Sequence, residues 1–269
     1  MGLFGLIKKQ FVNVIEWTEE ENGIISFRFP LKDEEIQNGA QLTVRDTQVV
    51  LFVNEGQLAD IFEPGRHILT TNTLPVLTSI KNWDKGFKSP FKSDIYFFSI
   101  RDQLNQRWGT SNPISVRDKE FGPIGLRAHG TYSYKLRNPK TFYKKISGTT
   151  DKYSTEDLEG QLRSTILTSL ASYFGSTSIS FVDMAGNQTK FSETLKGILS
   201  PGFSDYGLDL KTFYVQSLNL PEEIQSRIDK MGSEEDPTDK LTKLHDLLQK
   251  GVITQSEFDQ KKSELLKKI

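Results

Sequence analysis

A chain of 269 residues, 36% apolar and 26% charged, is long enough for one large domain plus a small one and polar enough to be an ordinary globular protein. Its formal net charge of −1 removes the overall electrostatic footprint that nucleic-acid binding requires. The absence of cysteine excludes disulfides, thiolate zinc sites and cysteine nucleophiles together, and it fits a reducing cytosol.

Residues 1–17 place Leu3, Phe4, Ile7, Phe11, Val14 and Ile15 at helical spacing, with Lys8, Lys9, Gln10, Asn13 and Glu16 largely on the other side. This pattern predicts an amphipathic helix. It suits a bilayer interface, contacted through Leu3, Phe4, Ile7, Lys8 and Phe11, and it suits equally a helix docked on its own domain. No apolar run reaches the length of a membrane-spanning helix. A secretory leader is not expected, because no positive region precedes the apolar residues and no small-residue cleavage site follows. Leu6 stands where myristoylation needs Ser or Thr.

Ile24–Phe29 reads as a strand closed by Pro30. Short strands follow at 41–45, 48–54, 57–62 and 66–71, with Glu55-Gly56 and Glu63-Pro64-Gly65 as turns; Pro64-Gly65 suits a type II turn, and the run reads as an antiparallel meander. A short helix is expected at 74–82, a loop at 85–90, and strands at 95–100 and 114–117. Residues 124–136 alternate most clearly. Ile124, Leu126, Ala128, Tyr132, Tyr134 and Leu136 take one face, while Arg127, His129, Thr131, Ser133 and Lys135 take the wet one. Gly130 falls on the apolar face, marking a bulge or a close contact.

Helices then take over. One is expected at 139–146, and a long one at 154–173 with a Ser154-x-x-Asp157 cap and a stripe of Leu158, Leu162, Ile166, Leu170 and Tyr173. A third is expected at 187–199, stopped by Ser200-Pro201-Gly202. Extended structure returns at 208–220, and Pro221 with Glu222 and Glu223 starts another helix. Residues 232–237 form a polar linker. A helical hairpin follows at 238–269. Leu241, Leu244 and Leu248 line its first helix, Gly251 ends that helix, a Thr254-x-x-Glu257 capping box opens the next, and Phe258, Leu265 and Ile269 line the second. Strands first and helices beside them predict an α+β fold with an antiparallel or mixed sheet.

The order of several motifs carries a resemblance. Gln48-x7-Gly56, Pro64-Gly65-Arg66-His67-x-Leu69, Thr71-Asn72-Thr73-Leu74-Pro75, Ser89–Phe98, Arg107-Trp108-Gly109-Thr110 and Gly130-Thr131-Tyr132-Ser133-Tyr134 together resemble the SPFH (stomatin, prohibitin, flotillin; Band 7) domain. The branch is the bacterial one labelled "virion core protein-like"; the match covers roughly residues 15–228, and the domain is placed at 18–231. Gly251-Val252-Ile253-Thr254 and Glu257-Phe258 resemble the SHOCT (short C-terminal) hairpin. The resemblance implies a non-enzymatic, membrane-associated scaffold, and it favours the membrane reading of the N-terminal helix. Such a protein would lie peripherally on the cytoplasmic membrane, self-associate and recruit partners, with a role in envelope stress or membrane organisation. One departure stands out: only Pro221–Met231 follows the domain, where stomatins and flotillins carry a long heptad helix.

A two-helix unit of about thirty residues is too small to bury a sufficient core alone. Its face of Leu241, Leu244, Leu248, Phe258 and Leu265 is therefore expected to meet the larger domain, a second copy or an unidentified protein partner, the last two being favoured. The alternative is a soluble adaptor that binds one partner through this hairpin. His67, His129 and His245 show no ligand spacing, the loop after Gly251 lacks calcium ligands, and no phosphate loop or nucleophile elbow occurs. Glu19-Glu20-Glu21, Asp33-Glu34-Glu35 and Glu234-Glu235-Asp236 read as solvated charge runs. No catalytic residue, cofactor, metal or nucleic-acid partner is expected.

Overall fold

The computed structural model describes residues 14–31, 36, 39–70, 93–180, 184, 186–222, 224–226 and 237–266, without the side chains of 178–179, 237–240 and 265–266. The helix expected at 74–82, the loop at 85–90 and most of the linker lie outside them. The chain is α+β and divides after Asn219 into two compact units.

Two sheets sandwich the first core. In one, β1 (Val14–Ile15) runs parallel to β3 (Ala40–Val44), and β3 pairs antiparallel with β6 (Gly65–Leu69). The other contains β2 (Ile24–Arg28), β4 (Gln48–Asn54), β5 (Gln57–Phe62), β7 (Ser93–Ser99) and β11 (Lys152–Ser154), in the order β11-β2-β7-β4-β5. Ile15, Leu42, Val44 and Leu69 from the first meet Val50, Phe52, Ile95 and Phe97 from the second. The expected meander is therefore corrected: β3 and β4 do not pair but belong to opposite sheets. Each is apolar on the face that looks across the sandwich, so burying both faces requires a corner rather than a hairpin at Arg45-Asp46-Thr47.

A third sheet is organised by β10 (Gly122–Leu136), with β13 (Leu208–Asn219) along one side. Its other neighbours are β9 (Ile114–Asp118) at Gly122–Leu126 and β8 (Gln103–Gly109) at His129–Tyr134; β12 (Ser178–Ile179) extends β9 in parallel. The alternation along β10 holds with one correction. Ser133, assigned to the wet face, is buried, its hydroxyl 2.6 Å from that of Thr212. Both roles considered for Gly130 are realised: the register to β13 shifts at His129/Gly130, and the backbone of Tyr214 lies against its α-carbon.

The helix expected at 139–146 is α1 (Pro139–Phe142) running into a π-helical turn, Tyr143–Ser147. The long helix, α2 (Thr155–Ser176), has its Ser154/Asp157 capping box formed, and Phe174 rather than Tyr173 completes the buried stripe. The helix expected to stop at Leu199 is α3 (Gln188–Ser204) and passes through Pro201. Leu199 and Phe203 are fully buried, and Phe203 packs on Tyr132 and Tyr134. That burial, about 1.5–3 kcal/mol for such a side chain, offsets most of the cost of an interior proline. Ser200 also donates its hydroxyl to the Lys196 carbonyl at 2.7 Å.

In the second unit, residue 222 and residues 224–226 are helical after Pro221, followed by α4 (Pro237–Gln249) and α5 (Gln255–Leu266). Gly251, at φ +67°, lets Val252 donate to the Leu247 carbonyl and Gly251 to that of Leu248, the reciprocal pair that ends a helix at glycine.

Candidate functional site

The residues that follow the N-terminal segment are held more tightly than a charge run would be. Glu19 has its backbone at φ +50° and its side chain only 7% exposed. One carboxylate oxygen accepts from Gln48 Nε2 at 2.8 Å and Thr47 Oγ1 at 3.2 Å; the other accepts from Ser99 Oγ at 2.9 Å and Arg101 Nε at 3.0 Å. Gln48 is fully buried, donates also to the Trp17 carbonyl, and accepts from the Arg45 backbone. The solvated reading of Glu19 is thus corrected. Its carboxylate ties residues 17–19 to the β3–β4 corner and to the end of β7.

The predicted helix 1–17 is corrected at its C-terminal end. Val14 and Ile15 are a strand, and Ile15 is 2% exposed within the core. Leu3, Phe4, Ile7, Lys8 and Phe11 lie outside the described residues. On the outer face of this sheet, Val14 and Ile68 are each about half exposed and flank Gln41 in one row of the register.

Beside this attachment the sandwich has an aromatic mouth. Trp17 stacks on Phe27 at 5.6 Å between centroids, and Trp17 and Phe29 both approach Phe97. Trp17, Phe27, Phe29 and Leu31 are half-buried against the core. Glu16, Glu20 and Glu21 line the cleft over them, and Lys152 pairs with Glu21 at 2.6 Å. Arg28 continues the wall, donating to Asp94 from Nε at 2.9 Å, and that bond chiefly raises its pKa, so it stays charged.

Among the described residues of the rest of the unit, no titratable side chains converge for chemistry. His67 Nε2 meets the Glu63 carbonyl at 2.9 Å and its ring packs on Phe62, while His129 faces solvent. Burial lifts the phenols of Tyr132 and Tyr134 well above their ordinary range, so both stay neutral. Among the described residues, no three His, Asp or Glu side chains are grouped to hold a metal ion, and no helix is long and apolar enough to cross a membrane.

In the hairpin, Leu241, Leu244, Leu248 and Phe258 are half-buried, so this face is partly spent holding α4 to α5; the side chain of Leu265 lies outside the described residues. Phe258 packs on the ring of the exposed His245. Leu247 and Val252, which periodicity does not single out, are 39% and 66% exposed. The capping box is formed, Thr254 donating backbone and side chain to Glu257 Oε2 at 2.8 Å each.

The backbone bond from Thr254, then the side-chain one, lowers the Glu257 pKa. A depressed folded pKa contributes stability that is present above the unfolded value, about 4.3 for Glu, and is lost as pH falls through the folded one. Amide protection at the start of α5, taken relative to the intrinsic exchange rate at each pH, is therefore expected to fall below about pH 4. In Glu257→Ala the protection should already be low at neutral pH and change less with acid. Equal acid profiles for the two chains would count against the cap.

Three comparisons align with this architecture. Residues 26–236 match the family model described as SPFH domain-Band 7 family, and residues 239–266 match the short C-terminal domain, SHOCT. The Bacillus subtilis protein YdjI, described as uncharacterized, is 25% identical over 228 residues, covering 84% of this chain and 70% of that protein.

Proposed function

We propose, from the premise that the chain belongs to the SPFH domain-Band 7 family, that it is a non-enzymatic scaffold lying peripherally on the cytoplasmic membrane. The family is one of membrane scaffolds, and the observation that carries the reading here is the attachment at Val14–Glu19. Ile15 in the core and the Glu19–Gln48 contacts fix the point at which residues 1–13 join the domain. A pull on that segment is therefore transmitted to the sandwich. Leu3, Phe4, Ile7 and Phe11 enter the acyl boundary, Lys8 meets anionic headgroups, and the half-exposed Val14 and Ile68 extend the apolar strip.

The SPFH domain self-associates on the bilayer, and the hairpin recruits a protein partner through Leu241, Leu244, Leu248, Phe258 and Leu265, with Leu247 and Val252 at its rim. Envelope stress or membrane organisation is the process this arrangement serves. Fractionation of cells tests the reading. The full chain is expected in the membrane fraction, and a chain that lacks residues 1–12 but keeps β1 is expected to be soluble and folded. Equal partition of both chains would contradict it.

A further inference from the structure

The aromatic mouth beside β1 has the chemistry of a receptor for a cationic amphipathic segment, and residues 1–13 of the same chain are such a segment. Its floor is Trp17, Phe27 and Phe29, half-buried and open to solvent on one side. Glu16, Glu20 and Glu21 rim the cleft, and Asp94 and Asp151 line its continuation, against Arg28 and Lys152 in the wall and Arg45, which pairs with Glu16 at 3.2 Å from outside it, so the balance stays acidic. Aromatic faces under an acidic rim select an apolar ligand that carries ammonium groups, by burial and by cation–π attraction.

We infer that residues 1–13 dock in this cleft when no membrane is present, Leu3, Phe4, Ile7 or Phe11 covering the aromatic floor and Lys8 and Lys9 facing Glu16, Glu20 and Glu21. The segment ends at residue 13, with two residues between it and Glu16 at the cleft, and thirteen residues span up to about 45 Å when extended, more than enough to turn back. The tether makes the docking intramolecular, with an effective concentration in about the millimolar range, so a weak contact suffices. The inference rests on the membrane reading above: the apolar face that enters the bilayer is the one that covers the cleft. Membrane binding and docking therefore compete. A chain docked nine-tenths of the time binds vesicles about tenfold more weakly than its free segment would.

The absence of cysteine gives a clean test in the full chain. Lys8→Cys with Glu20→Cys is compared under mild oxidation with Lys8→Cys with Glu193→Cys, whose second cysteine lines a different cleft. The first pair is expected to close within one chain at least tenfold faster than the second, and anionic vesicles are expected to slow it several-fold. Glu20→Lys with Glu21→Lys, both exposed positions, is expected to tighten vesicle binding about tenfold, reversing the fraction docked. Equal closure rates for the two pairs would overturn the inference even if vesicles bind. A disulfide formed between two chains would overturn it in favour of docking on a second copy. Fast closure in a chain that binds no vesicle would uphold the docking and remove the membrane reading.

Discussion

Replacing Gly130 by alanine is expected to destabilise the N-terminal unit by about 3 kcal/mol, the sum of overpacking and a lost hydrogen bond. The added methyl would sit inside the van der Waals envelope of the Tyr214 carbonyl oxygen and 3.0 Å from Trp108 Nε1. Those two atoms share a hydrogen bond of 3.1 Å that crosses over Gly130, and the Trp108 ring stacks on Phe213 at 4.7 Å. No flexible side chain can give way, because the obstacle is the backbone of β13. For a unit of this size the loss corresponds to a melting point lower by roughly 6–12 °C. Gly160→Ala is the control: nothing lies within 4 Å of the new methyl, and alanine in the middle of α2 should stabilise by about 0.5–1 kcal/mol. Matching melting points for the two variants would contradict this account of the bulge.

The second large effect is expected at Glu19. Alanine there leaves the fully buried Gln48 amide short of an acceptor and strands the Ser99 hydroxyl, at about 1–3 kcal/mol for the orphaned groups. The Arg101 ion pair adds little, since that side chain is 45% exposed. Backbone strain gives the result a signature. At φ +50° a side chain costs about 1–2 kcal/mol that glycine avoids, so Glu19→Gly should be less damaging than Glu19→Ala. Thermal unfolding of the three chains checks the order. If glycine proves the worse substitution, the positive φ is not a stored cost.

These two sites show where the sequence was readable and where it was not. The helix caps at Ser154 and Thr254 were legible because each capping box is closed within four residues. The α+β class and, Ser133 apart, the faces of β10 followed from period alone, and the family followed from the order of short motifs. Glu19 was not legible: its acceptor role depends on Gln48 and Ser99, 29 and 80 residues away, and locally it is one of three glutamates. The strand β8 was missed because Trp108 is its one buried side chain, so it carries no alternation. Pro201 misled because tertiary burial of Phe203 outweighed a local stop signal. Ile15 misled in the opposite sense, since its helical spacing to Phe11 is real but the core of the sandwich takes it as a strand.

The measurement that bears most directly on the scaffold reading is co-sedimentation with vesicles, neutral or anionic, of the full chain and of a chain lacking residues 1–12. The full chain is expected to pellet with anionic vesicles. Two lysines at about 1 kcal/mol each favour these over neutral ones by roughly thirtyfold at low salt, and the preference should shrink as salt rises. The shortened chain, with β1 and the Glu19 contacts intact, should stay in the supernatant. Pelleting of neither chain would contradict an N-terminal membrane anchor and leave the hairpin of a soluble adaptor as the working part of the molecule, and pelleting of both alike would move the membrane contact outside residues 1–12.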